Sequence, residues 1–202
     1  MERRTLLGGT ALVAGAALAG FGMRESYTAE STAPHAGPLR FPNVPLVTHR
    51  GERVRFYDDL IRGDRIVVFN MTYTECRESC GGTLANLVQV QRLLGARVGN
   101  TVHMYSVTLD PKVDTPEVLA RHARTIGADW TFLTGQPGDI DKVRRALGFV
   151  DSDPVVDRDR NRHSGMVRVG NDALDRWISC PGIARAEQLA QEVLWVGTAR
   201  AA

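Results

Sequence analysis

The stretch IVVFNMTYTECRESCGG, residues 66–82, decides the fold of this chain. Its first four residues are apolar without interruption, as expected of a short strand that is buried on both faces. Cys76 and Cys80 follow this strand directly, and an amphipathic helical pattern begins behind them. Side chains at the carboxyl end of a buried strand lie where α/β sheets bind their ligands. The stretch therefore predicts a strand, a turn that carries two thiols, and a helix.

Strand and helix patterns alternate after the cysteines. Residues 102–108 form the next apolar run, and Thr115-Pro116 behind it is typical of a helix start, with a capping hydroxyl followed by proline. Residues 130–133 and 137–147 continue the alternation as a short strand and a helix. This order favours an α/β fold with a largely parallel central sheet.

Two β-hairpins are predicted, one at each end of the folded region. Residues 44–48 and 54–57 flank a polar turn that contains a glycine, and residues 166–169 and 174–178 flank Gly170-Asn171. A final amphipathic helix is predicted on four apolar positions at helical spacing, Ala186, Leu189, Ala190 and Val193.

The first 23 residues have the pattern of an export segment. Arg3 and Arg4 precede 18 residues, 6–23, that carry no charge, which is typical of a secretory signal. The paired arginines resemble a twin-arginine signal, and residues 17–19 offer a small-x-small cleavage site. The alternative is an uncleaved anchor, since 18 residues is near the minimum for a membrane span. Both interpretations place the folded domain outside the cytoplasm.

The remaining organisation follows from composition. Residues 24–43 are rich in Ser, Thr, Ala, Gly and Pro and are interpreted as a linker, so that one domain is predicted over residues 44–198. The 25 Lys and Arg residues nearly balance 23 Asp and Glu residues, which gives no support to a nucleic-acid partner.

The spacing of the two cysteines allows two kinds of chemistry. In a regular helix, side chains at i and i+4 have Cβ atoms about 5 to 6 Å apart, whereas a disulfide needs about 3.5 to 4.5 Å. A metal ion with bonds of about 2.3 Å to each sulfur tolerates the wider gap. The Cys76-x3-Cys80 pair can therefore hold a metal, or it can form a disulfide if the turn is not fully helical. A helix amino terminus at this position would favour the thiolate that both roles require.

A third ligand must come from elsewhere, and spacing alone leaves it open. Of the five histidines, His35, His49, His103 and His122 are interpreted as surface or packing residues. His163 differs because it stands where the charged loop 151–162 gives way to a predicted strand, and such junctions are often functional.

Three motifs in order resemble the Sco/SenC family over residues 44–196. They are Thr74-x-Cys76-x3-Cys80 after a buried strand, the run 106–117 with the sequence SVTLDPKVDTPE, and His163-Ser164 before a late strand. The resemblance implies a thioredoxin-like α/β fold, with a central mixed sheet flanked by helices and an N-terminal β-hairpin. It also implies that Cys76, Cys80 and His163 bind copper, and that the loop carrying His163 is mobile without metal. Two thiolates and one imidazole suit Cu(I) and tolerate Cu(II).

The chain departs from the family pattern at three positions. Arg77 and Gly81 stand where members usually have proline, which should alter metal affinity and redox poise. Cys180 is extra to the motif and is interpreted as a packed residue. Three methionines in or beside predicted strands are likewise assigned to the core: Met71, Met104 and Met166.

The function expected from this resemblance is that of an exported metallochaperone. Such a protein would be monomeric and would lie in the periplasm or on the extracytoplasmic face of a membrane. It would assist copper insertion into cytochrome c oxidase or another extracytoplasmic cuproprotein, with a client such as the oxidase copper subunit. The alternative is a thiol-disulfide oxidoreductase that uses Cys76 and Cys80 to reduce a partner's cysteines. A copper sensor or store is the third possibility. Oxidoreductases of the thioredoxin type usually place a cis-proline where this chain has His163-Ser164, which favours the metal role.

Overall fold

The computed structural model describes residues 40–75, 80–159 and 165–198, and of Cys80 only the backbone. Its strands are β1 (Pro45–Thr48), β2 (Arg53–Arg55), β3 (Ile66–Thr72), β4 (Val102–Thr108), β5 (Thr131–Gly135), β6 (Met166–Asn171) and β7 (Arg176–Pro181). Its α-helices are α1 (Cys80–Leu94), α2 (Pro116–Ile126), α3 (Pro137–Ala146), α4 (Pro154–Arg158) and α5 (Ala186–Val196). A turn of π-helix spans Phe56–Ile61, and a 3-10 turn spans Gly95–Arg97.

The described strands form one seven-stranded sheet in the order β2-β1-β5-β4-β3-β6-β7. The three central strands β5, β4 and β3 are parallel, whereas β1 and β6 run antiparallel to their neighbours β5 and β3. The predicted hairpins are present as β1–β2 and β6–β7. The mixed sheet with flanking helices confirms the predicted α/β fold.

Two apolar layers cover the sheet. On one face α1, α2 and α5 pack through residues such as Leu87, Leu119 and Leu189, and on the other face α3 and the π-turn pack through Ile140 and Phe56. All seven residues of β3 are buried, as its uninterrupted apolar run predicts. The sequence signals for α2 are also confirmed, because the Thr115 hydroxyl accepts a hydrogen bond from the Val118 amide and Pro116 is the first helical residue.

The second hairpin turns later than predicted. β6 runs through Gly170 and Asn171, which pair with Trp177 and Arg176, so the turn consists of residues 172–175. The glycine is required by packing, since a Cβ atom on Gly170 would lie 2.1 Å from the Trp177 ring. The Asn171 amide closes the turn instead, because its Oδ1 accepts a hydrogen bond from the Leu174 amide at 3.1 Å.

The packed region extends to the amino-terminal side of the first strand. Phe41, which the predicted linker includes, is 1% exposed and contacts the rings of Trp177 and Phe56 at centroid distances of 4.5 and 6.5 Å. Strand β2 is shorter than predicted because the chain coils into the π-turn at Phe56, which buries that ring and Leu60. In the described part of the chain, no helix is both long and apolar enough to cross a membrane.

Candidate functional site

The predicted ligands belong to segments that meet at one edge of the sheet. Cys76 and His163 lie outside the described residues. Cys80 is the first residue of α1. Strand β6 runs antiparallel to β3 with Val167 opposite Asn70, so the chain enters β6 beside the carboxyl end of β3. The described elements thus bring the end of β3, the start of α1 and the start of β6 together.

The first turn of α1 packs against the residues that precede and follow the β6–β7 hairpin. Thr83 is 4% exposed, and a Cβ atom on Gly165 would contact its Oγ1 at 3.4 Å. A Cβ atom on Gly182 would lie 2.5 Å from Thr83 Cγ2, so this approach requires glycine. Asn86 on the next turn of α1 donates to the carbonyl of Gly182 at 2.8 Å. These contacts fix the start of β6 against the helix that Cys80 opens.

A buried carboxylate fixes the loop that leads to Cys76. Asp114 is 0% exposed and accepts hydrogen bonds from the Thr74 hydroxyl at 2.5 Å and from the Thr74 amide at 3.3 Å. It also accepts from the hydroxyl of Thr108, the last residue of β4. Asp114 therefore ties the loop after β3 to the loop after β4, two residues before Cys76.

This role of Asp114 is not visible in the sequence, where the residue stands only as part of the run 106–117. The available signal is the pair of hydroxyls: Thr108 ends β4 and Thr74 follows the end of β3, its parallel neighbour, by two residues, where polar groups that are removed from water need an acceptor.

The loop before His163 carries a firm anchor. Residues 151–159 include the short helix α4, and Asp157 accepts two parallel hydrogen bonds from the Arg144 guanidinium, at 2.5 and 2.9 Å. The two side chains are only 12% and 9% exposed, and Arg144 also donates to the Phe149 carbonyl at 2.8 Å. These hydrogen bonds hold the pKa of Asp157 well below its usual range. The loop is therefore tied to α3 six residues before His163, and its mobility without metal stays a prediction.

Three of the four histidines that were interpreted as surface or packing residues lie in the described region. His49 Nδ1 accepts from the Phe132 amide at 3.0 Å, His103 stacks near Tyr105, and His122 meets the Phe132 ring edge-on at 5.9 Å. Burial lowers the pKa of each of these imidazoles.

The other sulfur-containing side chains pack as predicted. Met71 and Met104 are buried in the core, and Met166 packs against it. Cys180 is half-buried against the apolar layer that α1, α2 and α5 form on one face of the sheet. Burial raises the pKa of its thiol. Within residues 40–75, 80–159 and 165–198, no three His, Cys, Asp or Glu side chains are grouped so as to hold a metal ion.

A cavity of about 430 Å³ adjoins the loop that leads to Cys76. Tyr73, Thr74 and Gly81 line it on one side, and His122 lines it on the other. The buried Nε2 atom of His122 has no hydrogen-bond partner among the described residues. This histidine therefore resists protonation in the folded state, although the charge of Asp114 partly offsets the effect of burial.

Acidification is expected to destabilise the protein partly through His122. The pKa of His122 is lowered by folding, so below about pH 6.5 the unfolded state binds more protons and the unfolding free energy falls. His122→Gln should reduce the fall between pH 7.5 and 5.5, with His49 and His103 accounting for part of the remainder. Urea unfolding at both pH values measures this. His35→Gln, in the predicted linker, is the control, and an equal fall in both variants would contradict the assignment.

The SCO1/SenC family pattern matches residues 42–194. The chain is 33% identical over 117 residues to the mitochondrial SCO2 homologue of Bos taurus, an alignment that covers 57% of this chain and 43% of that protein. The chain spans about half the length of the curated relatives it matches.

Solved structures share the fold. ScoI of Bradyrhizobium japonicum with copper bound aligns with a TM-score of 0.60 at 20% identity and covers 77% of this chain and 99% of that one. BsSco, described as carrying a disulfide switch and as a member of the Sco family of cytochrome c oxidase assembly proteins, aligns with a TM-score of 0.62 at 20% identity, covering 81% and 97%. Together with the match over residues 42–194, the fold places this chain in the SCO1/SenC family.

Proposed function

We propose that this protein is an exported copper-binding metallochaperone that assists copper insertion into cytochrome c oxidase or another extracytoplasmic cuproprotein. Cys76, Cys80 and His163 are the proposed ligands. Copper is the cargo in this proposal, and the partner is a cuproprotein such as an oxidase copper subunit. The relatives support this reading, since one is known with copper bound and another is described as belonging to a family of oxidase assembly proteins.

The observation that carries the proposal is the close approach of Gly165 to the first turn of α1, where a Cβ atom on Gly165 would lie 3.4 Å from Thr83 Oγ1. His163 precedes Gly165 by two residues in the sequence, and a chain spans at most about 3.6 Å per residue. Thr83 in turn follows Cys80 by three residues, within one turn of α1. Gly165, which follows the segment that carries His163, therefore lies beside the start of the helix that Cys80 opens.

The chemistry of the donor set fits copper. Two thiolates and an imidazole are the soft and borderline ligands that Cu(I) and Cu(II) accept. The amino terminus of α1 favours a thiolate at Cys80, since the helix dipole stabilises negative charge there. No acidic side chain occurs in the first turn of α1 to oppose this effect.

Export and domain organisation form part of the same proposal. Residues 1–23 would direct export or anchor the chain, residues 24–43 would link this segment to the domain, and residues 44–198 would form the copper-binding domain. The packing of Phe41 extends the packed region slightly into the proposed linker. The domain would then work in the periplasm or at the extracytoplasmic face of a membrane, as a monomer.

A thiol-disulfide oxidoreductase is the second candidate, and a specific observation favours it. The aligned protein BsSco is described as carrying a disulfide switch. In this role the reduced Cys76 and Cys80 thiols would exchange with a disulfide of the partner, which leaves the partner with two free thiols that can accept copper and this chain with the Cys76–Cys80 disulfide. The same two residues would serve both roles.

Copper titration of the reduced chain tests the proposal. We expect one tightly bound copper ion per chain, with a sulfur-to-Cu(II) charge-transfer absorption, because a thiolate donates to the metal. Cys180→Ser should leave stoichiometry and spectrum unchanged, since Cys180 packs against the core and is not part of the Cys76-x3-Cys80 motif. A chain that binds no copper but still forms the Cys76–Cys80 disulfide would move the oxidoreductase to first place.

A further inference from the structure

A groove of about 360 Å³ lies between the β1–β2 turn and the outer face of α2. His49 and Arg50 form the wall on the hairpin side, and Arg121 and Arg124 form the wall on the helix side. Ligand sites in proteins commonly have volumes of about 300 to 1,000 Å³, so the groove can hold a small charged group.

The arginines of this groove outnumber the one carboxylate that lines it. None of Arg50, Arg121 and Arg124 forms an ion pair with a described residue, whereas Arg144 and Arg145 on α3 are both paired with carboxylates. The one acidic residue that lines the groove, Glu117, already accepts a hydrogen bond from the Thr115 hydroxyl at 2.8 Å. Glu117 keeps its negative charge and interacts with Arg121, so the three positive charges of the groove exceed its negative charge by two.

His49 adds a fixed hydrogen-bond donor. Its Nδ1 accepts from the Phe132 amide at 3.0 Å, so the proton of the neutral ring must lie on Nε2. Burial, and then the charge of Arg50, lower the pKa of this imidazole, which keeps it neutral at pH 7. The ring therefore offers an N–H donor and no free acceptor.

We propose that this groove binds a phosphate group, carried by a free phosphate or by a lipid headgroup. Guanidinium groups match phosphate oxygens in bidentate geometry, and the groove offers donors from three arginines and one histidine. A free phosphate carries nearly two negative charges at neutral pH and would balance the excess charge, whereas a carboxylate or the phosphodiester of a lipid headgroup carries one. The groove is built from residues of the β1–β2 turn and of α2 and uses none of the proposed copper ligands.

The test uses the full chain with two probes. Calorimetric titration with inorganic phosphate measures binding of the free ion, and sedimentation with phosphatidylglycerol or phosphatidylcholine vesicles measures binding of the headgroup. The variant R121Q/R124Q should bind the responsive probe at least about 10-fold more weakly, because two charge-assisted contacts are lost. The control R97Q/R185Q removes the same charge from two exposed arginines without ion pairs elsewhere in the described region and should stay within about 2-fold of the parent.

The outcomes distinguish a free phosphate from a lipid headgroup and also test the proposal itself. Phosphate binding without vesicle binding identifies a small phosphorylated ligand, and vesicle binding only with phosphatidylglycerol identifies a headgroup. An apolar amino terminus would bind both vesicle types alike and would not depend on Arg121 and Arg124. No binding of either probe, or equal losses in the two double variants, would overturn the proposal. Copper titration and circular dichroism of both variants should match the parent, which excludes misfolding as the cause.

Discussion

Cys76→Ser is expected to abolish tight copper binding and the Cys76–Cys80 disulfide together. A serine hydroxyl does not ionise at neutral pH and is a poor ligand for Cu(I), so the change removes a thiolate that both functions need. Copper retained after gel filtration and thiol counting with a chromogenic reagent measure the two losses. Cys180→Ser is the matched control, because it removes one thiol outside the motif, and it should leave both properties intact.

His163→Ala should separate the two functions. Loss of the imidazole is expected to weaken Cu(II) binding by at least about 100-fold, since even partners behind metal ligands contribute about 10 to 100-fold to affinity. Cu(I) should bind better than Cu(II) to this variant, because two thiolates alone can hold it in two-coordinate form. The Cys76–Cys80 disulfide should still form. Competition titrations with a chelator, done separately for each oxidation state, give these affinities.

One result would remove the three-ligand site. If His163→Ala bound Cu(II) as tightly as the parent, His163 would not be a ligand, and the oxidoreductase would become the preferred function. Copper affinity should also fall as the pH drops below about 6.5 in the parent, because thiolates and neutral imidazole must lose protons to bind. In His163→Ala the part of this dependence that comes from the imidazole should be absent.

The elements were predictable where the signal is local. The sequence predicts β3 because a central strand buried on both faces must be continuously apolar. Thr115-Pro116 predicts the start of α2. The predicted position of the turn in the second hairpin is wrong, and the reason is a contact between residues on different strands. Gly170 accommodates the Trp177 ring across the strand pair, and a sequence window cannot distinguish that need from the need of a turn. The assignment of Phe41 to a linker fails for the same reason. Its ring packs against Phe56 and Trp177, which are distant in sequence.

The same division holds for the site. The two cysteines stand out locally, because their spacing and their place after β3 are visible in one stretch of sequence. The groups that support them are joined only by the fold: Asp114 meets Thr74 across 40 positions, and Asp157 meets Arg144 across 13. Their roles depend on strand register and on the placement of α3 and α4, which the sequence pattern does not specify.

Asp114→Ala is expected to lower the unfolding free energy of the reduced, copper-free protein by about 3 kcal/mol. Hydrogen bonds to a charged acceptor are worth about 1.5 to 3 kcal/mol each, and buried donors left without an acceptor cost more than exposed ones. The substitution removes the acceptor of the Thr74 hydroxyl and amide and of the Thr108 hydroxyl, all at a fully buried position. Urea unfolding followed by circular dichroism measures the loss.

Substitutions at Thr74 test whether this carboxylate also positions the Cys76 loop. Thr74→Val keeps the side-chain shape but removes the donor to Asp114, and it should weaken copper binding by about 10-fold, as loss of a supporting partner does at other metal sites. Thr74→Ser keeps the hydroxyl and should retain nearly all of the parent's affinity, which a purely steric role for the residue would not explain. Equal copper affinities in the valine and serine variants would show that Asp114 stabilises the fold without orienting the first thiol.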